Sequence, residues 1–279
     1  MAKKSSLTKR ASLNILGVIF ALLWIFPIYW LLNSSFSTED ALNSRTPSFF
    51  PAPFTAQHFQ SILADPAFFS ALKMSFFTAI LVVVVAIVFA FFAALALSRF
   101  RFIGRRGLIL SVLVIQMVPA EALFISQYKM IDGWHLLNSI LGLSILYIGA
   151  SLPFTIWMLK GFVDGVPVEL EESAQIDGCS RMGAFFRVTF PLLGSGIVAS
   201  SIFSFLAAWN EYTLALVLLS SNDTKTLPLW LQGFSTQMAG TDWGGVMAGS
   251  TLMAIPVIIL FVIVQKRMAT GMVAGAVKG

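Results

Sequence analysis

Residues 72–97 read Leu72-Lys-Met-Ser-Phe-Phe-Thr-Ala-Ile-Leu-Val-Val-Val-Val-Ala-Ile-Val-Phe-Ala-Phe-Phe-Ala-Ala-Leu-Ala-Leu97. A single cation, Lys73, stands at one edge, and no residue from Met74 to Leu97 carries a charge. A run this long exceeds the roughly 20 apolar residues that cross a bilayer as a helix. It does not alternate, so a β-strand of a membrane barrel is excluded. With lipid on all sides, the backbone is satisfied only by its own helical hydrogen bonds.

Five further stretches have the same character: Leu13–Leu32, Leu108–Tyr128, Ser139–Leu159, Gly196–Leu219 and Gly244–Val264. The composition agrees. Of 279 residues, 57% are hydrophobic and 11% charged, against about 25% charged in a soluble domain. The expectation is an all-α integral membrane protein with six transmembrane helices. The first stretch follows Lys3, Lys4, Lys9 and Arg10, as a secretory signal would. Its apolar run is longer than the roughly 7–15 residues of a signal core, and no small-x-small site follows, so it reads as a membrane helix.

Orientation follows from the basic residues. With the N-terminus inside, fourteen of the 18 Lys and Arg fall on the cytoplasmic side. Arg45, Lys73, Lys129 and Lys225 fall outside. This bias predicts that both termini are cytoplasmic. It also accounts for the net charge of +5 without nucleic acid as a partner. The expected organisation is a cytoplasmic N-terminus (1–12), a six-helix transmembrane domain (13–265) and a cytoplasmic tail (266–279). The outer loops are about Asn33–Ala71, Lys129–Asn138 and Ser220–Trp243. The first of these, with Pro47, Pro51, Pro53 and Pro66, reads as an irregular extended cap.

Metal and disulfide chemistry are not expected. Cys179 is the single cysteine, and His58 and His135 lie far apart with no HxxxH or HExxH spacing. Membrane lipid is the one partner that composition alone requires.

The inner loop between the fourth and fifth spans reads Val166-Pro-Val-Glu-Leu-Glu-Glu-Ser-Ala-Gln-Ile-Asp-Gly178. Pro167 suits the start of a helix. Glu169, Glu171 and Glu172 favour its positive end, and Gly178 is a natural stop. A second short helix is expected over Cys179–Phe190, ending at Pro191. By physics alone the first helix is either a solvated amphipathic loop or a docking element, and no partner can be named.

The segment resembles the "EAA" loop of permease subunits of binding-protein-dependent ATP-binding-cassette importers. The family pattern is Glu-Ala-Ala, three residues, Gly, nine residues, then Ile-x-Leu-Pro. Here Glu172-Ser173-Ala174 is followed by Gly178 and by Val188-Thr-Phe190-Pro191 at the same spacing. Leu97–Arg106, Ala208-Trp-Asn-Glu-Tyr212, Ser220–Pro228 and Gly271–Gly279 are similar to stretches of the sugar-permease branch, and the maltose-type second permease subunit is most alike.

The resemblance implies a type I importer permease fold with a cytoplasmic coupling helix, in a bacterial or archaeal cytoplasmic (inner) membrane. It implies as partners a second permease subunit, two copies of an ATPase subunit and an extracytoplasmic solute-binding protein. ATP and Mg would belong to the ATPase, since no GxxxxGK[ST] loop occurs in this chain. The residues expected at the ATPase contact are Glu171, Glu172, Ser173, Ala174, Asp177, Gly178 and Pro191.

Charged groups within membrane helices are costly and need a reason. Glu121, with Gln116 nearby, lies roughly 20 Å into the third span, and Asn210 and Glu211 lie roughly 21–23 Å into the fifth. With Trp209 and Tyr212 these form a candidate solute pathway. A buried structural role is the other reading. An ion-coupled secondary transporter is the alternative function. It requires coupling-ion sites in broken helices within inverted repeats, and no internal repeat is visible. A membrane enzyme finds no nucleophile–base pair to stand on.

Overall fold

A computed structural model describes the backbone of residues 7–236 and 240–276 and the side chains of 12–221, 223–235 and 240–265. The expected N-terminal segment therefore lies mostly outside the described residues, as do the side chains of the C-terminal tail. The elements in order are α1 (Leu7–Ser35), α2 (Glu39–Leu42), α3 (Gln57–Ala64), α4 (Pro66–Arg99), α5 (Arg105–Ile115), α6 (Phe124–Gly133) and α7 (Ile140–Asp164). They continue with α8 (Val168–Ile176), α9 (Arg181–Ala184), α10 (Phe190–Leu192), α11 (Gly194–Trp209), α12 (Thr213–Leu218) and α13 (Leu227–Leu231). A two-stranded hairpin, β1 (Ser235–Thr236) and β2 (Gly240–Thr241), precedes α14 (Trp243–Ala276).

Four helices contain continuous stretches long and apolar enough to cross a membrane: Ser12–Ser35, Pro66–Arg99, Ile140–Asp164 and Trp243–Gln265. Two bent pairs bring the number to six when each pair counts as one span. The third and fifth expected helices thus differ from the reading of continuous spans. In the third, α5 stops at Ile115, and the chain turns through 95° between Arg105–Ile115 and Ala120–Gly133. Pro119 lacks an amide donor and holds Val118 out of the helical region, which ends the helix. In the fifth, α11 ends at Trp209, Asn210–Tyr212 interrupt it, and α12 resumes.

The second short cytoplasmic helix also differs. It does not end at Pro191. The chain passes from α9 through a wide turn, Phe185–Thr189, into α10, which contains Pro191. The amide of Phe190 reaches back five residues to the carbonyl of Phe185. A proline ring collides with the carbonyl four residues earlier in a regular helix. Widening the preceding turn relieves that collision. A further bend of 65° separates Arg181–Leu192 from Gly194–Trp209.

The chain divides into two compact units. One comprises the chain up to Phe68 with Leu231–Ile255. In it Ser37 and Phe54 form an antiparallel bridge, and Phe36 stacks on Phe54 with centroids 5.0 Å apart. Residues 12–28 of α1 are all exposed, whereas Asn33, Ser34 and Ser35 at its end are buried. Trp24, Leu23 and Leu22 are 79%, 63% and 62% accessible, which suits lipid or a second protein rather than water.

The other unit comprises Phe69–Trp230 with the chain from Pro256. Its centre is the packing of α7 on α11. Gly196, Ser200, Ser204 and Ala208 recur every four residues along the buried face of α11. Small residues at that spacing allow two membrane helices to approach closely. A Cβ added at Gly196 would stand 2.4 Å from Cγ of Phe162, so only glycine fits. Thr155 and Ser204 complete the contact, their hydroxyls 3.1 Å apart. An apolar cluster of Phe91, Leu95, Leu159, Val163, Phe185 and Leu193 packs α4, α7 and the wide turn together.

Candidate functional site

The polar segment between α7 and α11 folds as expected at its core. Pro167 is the residue before α8, and Glu169 and Glu171 occupy its first turn. The helix ends in a complete Schellman motif. Gly178 has φ +94°, its amide donates to the carbonyl of Gln175 (3.1 Å), and that of Cys179 donates to Ala174 (3.0 Å). Asp177 is the C-cap residue and is exposed.

The two adjacent glutamates face different ways, because successive helical residues are turned by about 100°. Glu172 is exposed. Glu171 is 5% accessible. Its Oε1 accepts hydrogen bonds from Arg99 Nε at 2.8 Å and from the Thr189 hydroxyl at 2.6 Å. Arg99, the last residue of α4, also donates from Nη2 to the carbonyl of Val166 at 2.8 Å. Both side chains of the ion pair are 7% accessible. Breaking such a buried pair costs about 3–5 kcal/mol, because the remaining charge stays desolvated.

Neighbouring arginines complete the end of α4. Arg105 Nε donates to the carbonyl of Leu97 (2.7 Å) and Arg181 Nη2 to that of Arg99 (3.0 Å). The Arg181 guanidinium also lies 4.6 Å from the centroid of the Phe100 ring. Cations belong at helix C-termini, where unpaired carbonyls gather negative partial charge.

The outward face of α8 is left free. Ile176 is 86% accessible, Leu170 43% and Val168 45%. Ser173 is exposed, its hydroxyl donating to the carbonyl of Glu169 in its own helix (2.8 Å), and Ala174 is half-buried. An exposed helix carrying Glu172 beside a bare isoleucine, tied beneath by a buried ion pair and closed at its C-terminus by the Schellman motif, is suited to dock in a partner's cleft. Pro191 is exposed within α10.

The candidate pathway residues differ in burial and bonding. Glu211 sits in the interruption after α11 and acts as a cap. Its Oε1 accepts from the amide of Leu214 (2.7 Å), and Oε2 accepts from the amide of Ala215 (3.2 Å) and the hydroxyl of Tyr147 (2.5 Å). Trp209 is 1% accessible and stacks on Phe205 with centroids 5.3 Å apart. Asn210 is exposed, its amide donating to Leu206, and Tyr212 is half-buried. Gln116 caps α5, and Glu121 lies exposed in a tight turn, Ala120–Leu123. Among the described residues no hydrogen bond or ion pair joins Glu121 to Glu211. Gln116, Glu121 and Asn210 are therefore the exposed polar groups of the set.

Arg99, Thr189 and Tyr147 escaped the sequence reading, as did the grouping of Glu39, His58 and Asp242. The latter three bring ligand-type atoms within 4.8 Å of one another. Only Arg99 carried a visible signal, as a cation ending an apolar helix. Burial, followed by the neighbouring Asp242, raises the Glu39 carboxyl above its ordinary range.

Residues 86–273 match the family described as binding-protein-dependent transport system inner membrane component. The chain is 41% identical over 276 residues to the diacetylchitobiose uptake system permease protein DasC of Streptomyces coelicolor, covering 99% of this chain and 100% of that one. It is 31% identical to the trehalose/maltose transport system permease protein MalG of Thermococcus litoralis, covering 99% of each. To the arabinooligosaccharides transport system permease protein AraQ of Halalkalibacterium halodurans it is 32% identical across the full length of both. Its fold matches a chain in the crystal structure of a bacterial ABC transporter involved in alginate import, with a TM-score of 0.78, 23% identity, and 95% and 98% of the two chains covered.

Proposed function

The chain belongs to the family of binding-protein-dependent transport system inner membrane components, and we propose that it forms half of the membrane pathway of an ATP-driven importer for a di- or oligosaccharide. Membership sets aside the ion-coupled secondary transporter. The saccharide class is supported by the relatives, whose names specify diacetylchitobiose, trehalose or maltose, and arabinooligosaccharides.

The observation that carries the mechanism is α8, held rigidly on its inner face and bare on its outer face. In this reading an ATPase subunit receives Glu172 and Ile176 in a surface cleft, and closure of two ATPases around ATP and Mg displaces α8. A second permease subunit covers exposed apolar surface such as that of α1, and an extracytoplasmic binding protein delivers the solute. The chain is a transport subunit, and hydrolysis takes place on its partners. The membrane is the cytoplasmic (inner) membrane, with both termini inside.

The test is uptake into proteoliposomes holding the assembled importer, supplied with labelled saccharides on the binding protein. ATP-dependent accumulation of a di- or oligosaccharide is expected. Accumulation driven by an ion gradient without ATP, or transport confined to non-carbohydrate solutes, would overturn the reading.

A further inference from the structure

Three parts of the second unit meet at one carboxylate oxygen. Oε1 of Glu171 on α8 is bonded to Arg99 at the end of α4 and to Thr189 in the wide turn leading towards α11. Arg99 does more than pair. Its Nε holds the glutamate, while its Nη2 holds the carbonyl of Val166, just before α8 begins. The planar fork of one guanidinium thus fixes the approach to α8 and its first turn together, a double grip that lysine cannot reproduce.

The load path follows from what is bonded and what is not. The outer face of α8 is exposed. Its inner face is tied by charge to α4, a helix of 34 residues, roughly 50 Å long at the helical rise. Sliding α8 against the end of α4 would leave two desolvated charges apart, so the two elements resist relative motion. The apolar cluster beneath, with Phe91 and Leu95 on α4 and Val163 on α7, adds packing without direction. The hydrogen-bonded ion pair supplies the direction.

We propose that Arg99 is the positioning residue that makes α8 and α4 a single lever, with Thr189 bracing the joint, so that displacement of the docking helix becomes displacement of a membrane helix. This rests on the docking reading of α8 above. Arg99 acts through Glu171.

The experiment uses the complete importer, assembled with its ATPase and reconstituted with binding protein. It compares the wild type with Arg99→Lys, Thr189→Val, Arg99→Glu and the exchanged pair Arg99→Glu/Glu171→Arg. Three quantities are read: subunit stoichiometry after purification, ATP hydrolysis, and solute accumulated per ATP hydrolysed. Arg99→Lys keeps the charge and the complex. It is expected to lower solute per ATP by about 5- to 150-fold, the usual span of coupling between two sites, with hydrolysis continuing. Thr189→Val lowers the same ratio by less, and the exchanged pair recovers part of the loss relative to Arg99→Glu alone. Unchanged solute per ATP in Arg99→Lys would overturn the proposal. So would release of the ATPase from that variant, since Arg99 would then serve assembly and not transmission. Failure of the broader importer reading appears differently, as absence of ATP-dependent uptake by the wild type.

Discussion

The hydroxyl of Tyr147, on α7, donates to Oε2 of Glu211 across the interruption between α11 and α12, at 2.5 Å. Glu211 passes the constraint on to the amides of Leu214 and Ala215, which open α12. A carboxylate in the break between two helices thus acts as a helix cap. Tyr147→Phe removes one of its donors and is expected to cost about 1 kcal/mol. Glu211→Ala removes the cap and is expected to cost about 0.5–2 kcal/mol. Thermal unfolding of the purified protein in detergent reads both. Equal stability of Glu211→Ala and wild type would show that the cap does not hold the interruption.

Gly178 is required for its backbone and not for its space. Nothing lies within 4 Å of a Cβ built there, yet φ is +94°. Left-handed backbone costs an ordinary residue about 1–2 kcal/mol, with asparagine penalised least. Coupled transport should therefore decline from Gly178→Asn through Gly178→Ala to Gly178→Val, with membrane insertion unaltered. Uptake assays at matched expression check the order, and full activity of the valine variant would contradict it.

Gly196 presents the opposite case, since its backbone is ordinary and its space is filled by Phe162. Gly196→Ala forces that ring aside and is expected to destabilise by about 1–3 kcal/mol. Phe162→Ala in the same chain should make the alanine at 196 nearly neutral. A double-mutant cycle on thermal stability measures the coupling, and additive effects would deny the contact.

Glu39 titrates above its ordinary range because of burial and Asp242. A carboxyl whose folded pKa is raised binds its proton more tightly when folded. Its contribution is therefore fully present below the ordinary carboxylate pKa and is lost as pH rises through the raised value. The described loop around Glu39 and Gly244, joined by a 3.3 Å hydrogen bond, should loosen as pH rises above the carboxylate range. Glu39→Gln should flatten that dependence, read as the difference in melting temperature between variant and wild type across pH. A wild type that gains stability relative to the variant as pH rises would reverse the sign.

Much of the architecture was legible because hydropathy is an additive property of long runs. The run at Leu72–Leu97 needed no neighbours to declare itself. Asn138 accepts from the amides of Ser220 (2.7 Å) and Ser221 (3.0 Å), joining two of the expected outer loops. Arg99 with Glu171, and Arg181 with Arg99, likewise join the two expected inner loops. The interruptions were not seen, since a few polar residues at Gln116–Pro119 or Asn210–Tyr212 vanish in an average over twenty. Nor could the sequence separate Glu171 from Glu172. One residue of rotation decides which glutamate meets Arg99, and the burying surface comes from α4, more than sixty residues earlier in the chain. The Schellman ending at Gly178, by contrast, is local, and its residues sufficed.

Docking of the outer face of α8 on an ATPase is tested most directly by crosslinking in native membranes from a photoreactive residue placed at Ile176. A covalent adduct with a subunit carrying a GxxxxGK[ST] phosphate loop is expected, and no such adduct from the same probe at Trp24 on α1. An ATPase adduct from Trp24 and none from Ile176, or neither when the intact complex is recovered, would contradict it.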